Sequence, residues 1–484
     1  MSPARTTEVV IIGAGIAGTA IARELSKYQT KVMLIEKAAE ICFGSTKAST
    51  AIIHPGFPVA GAPLKTKFIL QGNRMFEQLA SELNISFKKM GELTVARNKN
   101  ELESLKKLKD EGQAAGIAGL KIIDKYQLQK MEPNVTKDNL GALYASTAAI
   151  VLPFEVAIAL AENASQNGVS ILVDTEVIDL ERLPNKHLLV KTNQGDLEAE
   201  FVVNAAGVFA DEVASMVGAN DFSIAPHKGE EYLLDNRVGN LINRPLFPMI
   251  DWSLIIPTVD GNIILGTTYT PAENRYDFAT TSQGFKRIFG MAQQLVPALS
   301  PRDIIRSFAG LRGMNTRTSD YIIEPSKKEP RFINVVLGSP GITSAPAIAQ
   351  LVVEILASQG LKLINNPYFN PQRRRIPRFS DCSEEQKKVL MAQDPHYSHV
   401  VCRCETVTEG EIIEAIRRGA RTVDGVKYRT RAGMGRCQGG FCGPRVVQIL
   451  ARELNIPVTE VTKRGQNSHL LFFENKQLLR ERLR

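Results

Sequence analysis

The sequence predicts an α/β and α+β chain. A nucleotide-binding domain of parallel strands and helices carries an inserted antiparallel-sheet domain, and a small helical domain stands at the C-terminal end. Three observations carry this. A strand, glycine turn and helix pattern occupies 9–25, apolar strand-like runs fill 86–96, 226–234, 254–257 and 262–266, the last two around an Asp260-Gly261 hairpin signal, and four of the six cysteines fall in two close pairs between 402 and 442. A chain of 484 residues suits about three domains of ordinary size.

The first element is Val9-Val10-Ile11-Ile12, entering Gly13-Ala14-Gly15-Ile16-Ala17-Gly18 and an apolar helical pattern through Leu25. A second strand, 31–35, ends in Glu36 and Lys37. Glycines here admit a tight turn and close approach of a pyrophosphate to the helix N-terminus, and a carboxylate at the end of the second strand accepts from ribose hydroxyls. This is a Rossmann-like fingerprint, and it makes Gly13, Gly15, Ile16, Ala17, Gly18, Glu36 and Lys37 the predicted dinucleotide contacts.

Two later segments decide for FAD over NAD. Strand 201–204 runs into Ala205-Ala206-Gly207, and strand 332–337 runs into Gly338-Ser339-Pro340-Gly341-Ile342-Thr343 before a helix over 345–358. Ala206, Gly207, Gly338, Gly341, Ile342 and Thr343 are therefore expected along the cofactor, with the helix aiming its positive end at the flavin pyrimidine. Between these parts, Gly44-Ser45-Thr46-Lys47-Ala48-Ser49-Thr50 offers small residues to pass a flat ring, with Ser45, Thr46, Ser49 and Thr50 as contacts. His54 follows, and an imidazole suits removal of a hydroxyl proton while hydride leaves the same carbon.

From Gly13 through Ser339 to Ala347 the chain resembles the glycerol-3-phosphate dehydrogenase and L-2-hydroxyglutarate oxidase branch of the D-amino-acid-oxidase-like flavoproteins. With its cysteine domain it is most similar to the A subunits of anaerobic glycerol-3-phosphate dehydrogenases. Relatives commonly read Asn-Ser before the histidine and Ala-Gly after it, where this chain has Ser49-Thr50 and Pro55-Gly56. The resemblance implies a discontinuous FAD-binding domain (1–80, 150–220 and 320–365) and an antiparallel substrate domain (81–149 and 221–319). It also implies an arginine clamp for a carboxylate or phosphate at Arg312, in Ala309-Gly310-Leu311-Arg312-Gly313. Arg317 and Lys228 are expected to extend that grip, with Tyr232 and Tyr269 as hydroxyl contacts or core aromatics. The expected reaction is oxidation of sn-glycerol 3-phosphate to dihydroxyacetone phosphate by hydride transfer to flavin. The alternatives are a 2-hydroxy acid such as L-2-hydroxyglutarate, an amine or imino acid as in opine or proline oxidation, and an electron-relay subunit without its own substrate.

Cys402-x-Cys404 and Cys437-x4-Cys442 are four soft ligands in a cysteine-poor chain. Structural zinc sites usually use a Cys-x2-Cys knuckle, whereas this spacing resembles the small domain related to bacterioferritin-associated ferredoxin, which implies a [2Fe-2S] cluster. Gly433, Gly435, Gly439, Gly440 and Gly443 let backbone turn around inorganic sulfur, and Pro444 suits the first turn of a helix through 446–454. No secretory signal is read at the N-terminus, so a reducing, cytoplasmic setting is expected and disulfides are not.

The cluster domain is expected over 396–460, after a linker at 366–395 rich in proline and arginine and before a tail at 461–484. Residues 371–484 hold 22 Lys and Arg against 13 Asp and Glu, which exceeds the net +8 of the whole chain. That charge suits compensation of an anionic cluster, an electron-accepting partner subunit, or lipid headgroups at the inner face of a membrane, met through Arg373-Arg374-Arg375 and the ending 478–484. An oligomer passing electrons to that partner or to quinone is expected, with a small anionic substrate and no nucleic acid. No apolar run approaches the ~20 residues of a membrane span.

Overall fold

The computed structural model describes residues 4–249 and 253–473, in two units: Met1–Ile35 with Cys42–Arg373, and Glu36–Ile41 with Arg374–Arg484. The first unit is built on two large sheets. In the eight-stranded one, Arg5–Ile12 lies parallel to both its neighbours, Val9 standing opposite Val32 and Phe201. A parallel strand covered on both faces has no polar side, and Val9, Val10 and Ile11 are fully buried. Phe332–Val336 extends the parallel set beside Leu197–Asn204.

The glycine turn follows from packing. Gly13 has φ +101°, and a Cβ there would stand 2.6 Å from the Ala205 carbonyl oxygen. A Cβ on Gly18 would strike the Gly13 carbonyl oxygen, so only glycine lets the helix Ile16–Leu25 pack this close to the strand end. Gly341–Ser358 starts four residues earlier than the sequence pattern suggests. It has the length and apolarity of a membrane span, but 61% of it is buried inside the protein, against Ile16–Leu25 and Pro63–Leu83.

The nine-stranded sheet positions the chemistry. Its long strands Ile224–Leu234 and Ile304–Asn315 pair antiparallel, with His227 opposite Arg312, Gly229 opposite Gly310 and Glu231 opposite Phe308. The two predicted strands around Asp260-Gly261 are present as Leu254–Pro257 and Ile263–Gly266, and 86–96 divides into Phe87–Lys89 and Glu92–Ala96. Alternation gives the sheet two unlike faces. Tyr232, Leu234, Leu265, Ile255, Leu246 and Leu93 pack on the amphipathic helix Ser282–Leu295. His227, Gly229, Glu231, Gly266, Phe247 and Glu92 occupy the opposite face.

The second unit has its own core around Val401, Ile412, Ile416, Val426, Val446 and Leu450. Its helices start on sequence signals: Thr408 and Glu411 form a capping box on Glu409–Arg417, and Pro444 lies in the first turn of Gly443–Leu454. The proline and arginine stretch before it carries no regular structure through Arg378. Arg373 is buried, 2.6 Å from Glu162, which removes it from any basic docking surface. The basic ending 478–484 lies outside the described residues.

Gly72 lets Pro63–Leu83 cross tightly over the start of Gly341–Ser358, since a Cβ there would strike the Thr343 carbonyl oxygen. Gly72→Ala is expected to lower stability by about 1–3 kcal/mol through overpacking, read as a drop in the thermal midpoint of the holoprotein.

Candidate active site

His54 is delivered by Ile52–Ile53, a short strand paired to Ala149–Val151. Its backbone is held from both sides. The His54 N–H donates to Thr343 Oγ1 at 3.1 Å, and the His54 carbonyl accepts from Asn73 Nδ2 at 2.9 Å. The same Asn73 amide also donates to the Thr147 carbonyl, and the Thr343 hydroxyl to the Ile52 carbonyl, so the first turn of Gly341–Ser358 and the middle of Pro63–Leu83 are tied to one residue. The imidazole meets Phe247 edge to face at 6.4 Å. Burial pushes its pKa down to about 4, so it is neutral, and able to take a proton, throughout the physiological range.

Arg312 lies across Gly229. A Cβ at Gly229 would stand 2.5 Å from Nη1 and 2.6 Å from Nη2, so the glycine forms a slot for the guanidinium. Nη1 donates to the Thr268 carbonyl at 3.1 Å, Nη2 to Thr267 Oγ1 at 2.9 Å, and the group sits 5.8 Å over the Tyr269 ring, itself stacked on His227. Burial lowers the Arg312 pKa and the Glu231 carboxyl opposes that shift; an arginine stays charged under either influence.

The other two predicted cations are not brought to this place. Lys228 follows the alternation onto the opposite face, where its ammonium is buried 2.8 Å from Asp277. Arg317 stands beyond the end of the strand and pairs with Glu324 at 2.7 Å. The parity of Lys228 was available in the sequence, because it shares it with the core residues Tyr232 and Leu234. Tyr232 belongs to the core, its hydroxyl donating to Glu230 and the Thr281 carbonyl, whereas Tyr269 is half exposed against Arg312. Sequence reasoning missed Asn73, Thr267, Thr268, Phe247, Glu92 and Glu231, all placed by pairing between distant strands or helices.

Several of the predicted cofactor residues of the first unit are brought together. Thr46 Oγ1 accepts from the Ile16 N–H at 3.0 Å and lies against Gly15, so the turn Ser45–Ala48 abuts the start of the first helix. Ser45 Oγ donates to the Leu311 carbonyl, and Ala48 meets Gly310 where a Cβ would stand 2.7 Å away, which joins the turn to the arginine strand. Ser49 Oγ accepts from Ala51, beside Thr50. Ala206 precedes Gly207 at φ +60°, Gly338 lies against Met314, and Gly341 and Ile342 open the apolar helix. Glu36 Oε1 accepts from the Ala38 N–H; Lys37 follows it in the chain. Among the described residues, the buried oxygens Glu92 Oε2, Glu231 Oε2 and Thr147 Oγ1 have no hydrogen-bond partner. Gly44, Gly207 and Gly341, where a Cβ would meet nothing closer than 3.8 Å, leave open backbone along these segments, which fits the close approach of a large cofactor.

In the second unit the thiols form two pairs, Cys402 with Cys442 and Cys404 with Cys437. Among the described residues no three His, Cys, Asp or Glu side chains converge on a single metal position. Two thiol pairs suit a two-iron cluster, in which each iron takes two, better than one zinc ion needing four. The Cys442 thiol and the N–H groups of Gly433 and Glu405 lower the Cys402 pKa; the N–H of Phe441 and then other groups lower that of Cys437. A Cβ on Gly435 would strike that of Cys404, and Glu405 is held by Arg431 at 2.7 Å. Cys382 instead donates to the Arg378 carbonyl.

Residues 8–355 match the family model for FAD dependent oxidoreductases, and 400–452 that for BFD-like [2Fe-2S] binding domains. The chain is 44% identical over 471 residues to a glycerol 3-phosphate dehydrogenase of Caloramator mitchellensis, covering 96% of this chain and 98% of the relative. It is 26% identical over 505 residues to the anaerobic glycerol-3-phosphate dehydrogenase subunit A1 of Haloferax volcanii, covering 93% and 83%. Among solved structures, the FAD-bound L-alpha-glycerophosphate oxidase of Mycoplasma pneumoniae superimposes with a TM-score of 0.72 at 28% identity, over 76% of this chain and 98% of that one.

Gly229→Ala is expected to displace Arg312 and raise the concentration of anionic ligand for half-saturation by roughly tenfold or more, the scale of one charge-assisted contact, while FAD content is unchanged. Cys437→Ser is expected to abolish the [2Fe-2S] absorbance and paramagnetic signal while the flavin absorbance remains.

Proposed function

The chain belongs to the FAD-dependent oxidoreductases and ends in a BFD-like [2Fe-2S] domain, and from that premise we propose that it oxidises sn-glycerol 3-phosphate at its secondary alcohol to dihydroxyacetone phosphate. The near full-length likeness to a glycerol 3-phosphate dehydrogenase supports the substrate. The observation in the structure that supports the reading is a neutral base and a fixed cation turned to one face of the same sheet, with three strands between that of Phe247, which His54 meets, and that of Arg312. His54 is held by Thr343 and Asn73 and edges onto Phe247; Phe247 belongs to the sheet face across which Arg312 lies.

FAD supplies a two-electron acceptor and the [2Fe-2S] cluster a one-electron carrier. The protein's own part is to orient and to move a proton. On this reading Arg312 binds the phosphate, fixing which carbon lies near His54, and His54 Nδ1 or Nε2 takes the hydroxyl proton as the carbon loses hydride. Thr267 and Thr268 hold the guanidinium in plane, and Tyr269 backs it. Gly13, Gly15, Gly18, Glu36, the 45–50 turn, Ala206, Gly207 and residues 338–343 would hold FAD, and the two thiol pairs the cluster. Electrons then leave to a partner subunit or quinone, a reading supported by the Haloferax relative's description as a subunit. The proposed setting is cytoplasmic, with peripheral contact to a membrane.

His54→Gln is expected to keep FAD and slow substrate-driven flavin reduction by about 10²–10⁴-fold, the usual worth of a general base. A variant reducing at the wild-type rate would remove His54 from the reaction. Because the imidazole titrates at about 4, the rate should show no acid limb from this group between pH 5 and 7; stopped-flow traces across that range check it.

A further inference from the structure

Glu231 shares a sheet face with Arg312 and is buried, 1% exposed, with Oε2 lacking any hydrogen-bond partner among the described residues. Room for it is made by a second glycine. Gly266 stands opposite Glu231 on the neighbouring strand, and a Cβ there would be 2.7 Å from the Glu231 Cγ. Gly229 and Gly266 thus open two adjoining slots, one taking the guanidinium and one the carboxyl. The hydrogen bonds described for Arg312 go to Thr268 and Thr267. A carboxylate buried with a bare oxygen is unfavourable, and protonation removes the charge. Burial pushes the Glu231 pKa up to about 8, outweighing the attraction of Arg312.

We propose that Glu231 is a positioning residue for anion capture: as the neutral acid it leaves the charge of Arg312 free for the anionic group of the substrate, and as the carboxylate it competes with that group for the same guanidinium. This rests on the reading of Arg312 as the substrate's clamp. It explains how a single fixed cation can serve where Lys228 and Arg317 are already paired. Other groups face the same region. His227 lies along the same strand face and Tyr269 beyond Thr268, while the Lys47 ammonium, in the turn whose Ala48 meets Gly310, lies against the Phe43 carbonyl and ring. Lys228 and Glu230 take the opposite face, held by Asp277 and Thr281. Glu92 is a second buried acid, also pushed up to about 8, but Ile263–Gly266, Leu254–Pro257 and Leu246–Pro248 separate its strand from that of Glu231.

The test uses sulfate, a dianion that does not titrate near neutrality, bound to the FAD-loaded holoprotein and followed by calorimetry from pH 6.5 to 9.5. In the wild type the affinity is expected to hold below pH ~8 and then fall by about tenfold per pH unit, as binding draws a proton onto Glu231. Glu231→Gln, which keeps the shape and cannot ionise, is expected to bind within about tenfold of wild type at pH 7 and to lose the alkaline fall. Glu92→Gln should keep it. A flat wild-type profile, an unchanged fall in Glu231→Gln, absence of sulfate binding, or undiminished binding in Arg312→Leu would each overturn the proposal. Flavin reduction by sn-glycerol 3-phosphate is measured on the same samples. Its failure beside the expected sulfate profile would sink the substrate reading and leave the role of Glu231 standing.

Discussion

The alternation of side chains along Ile224–Leu234 is the constraint on which the rest of the first unit depends. One parity, Tyr232 and Leu234, builds the core against Ser282–Leu295; the other, His227, Gly229 and Glu231, builds the surface on which Arg312 lies. A slip of one residue would exchange the two, burying the arginine in the apolar core and exposing the core residues. The long antiparallel pairing with Ile304–Asn315 prevents that slip, and the same strand meets the Ser45–Ala48 turn through Gly310 and Leu311. Register, the placement of Arg312 and the placement of the Ser45–Ala48 turn are therefore set by one pairing.

A second constraint acts on the histidine. Thr343 and Asn73 come from two helices that cross closely only because residue 72 is glycine, and both bond to the His54 backbone. The imidazole is thereby fixed relative to the helix whose N-terminus opens at Gly341. These bonds hold the backbone rather than the ring, and burial keeps the imidazole neutral, with one ring nitrogen able to accept a proton. Preorganisation of this kind contributes to rate by removing misaligned poses.

Much of this was legible in the sequence where the signal is local. The turn at Gly13 to Gly18, the hairpin at Asp260-Gly261, the cysteine pairs and Pro444 each state their structure within a few residues, and the two family matches agree with the fold read from them. Long-range placement was not legible. The parity of Lys228 could be read from its strand, but Asp277 binds the lysine through a pairing no motif announces, and Thr267 and Thr268 reach Arg312 from another segment. No local motif marks Glu231 beside Glu230. Its meaning comes from Gly229 on its own strand and Gly266 on another, which leave room for a buried acid beside a buried guanidinium.

On the proposed reading this sheet face and His54 together select a secondary alcohol bearing phosphate, sn-glycerol 3-phosphate, over a 2-hydroxy acid. The most direct measurement is an anaerobic titration of the holoprotein with sn-glycerol 3-phosphate and, separately, with L-2-hydroxyglutarate, following the flavin band and freezing samples for paramagnetic resonance. Rapid bleaching by the phosphate alone, with a reduced [2Fe-2S] signal growing in, is the predicted result. Bleaching by the 2-hydroxy acid while the phosphate leaves the flavin oxidised would contradict it.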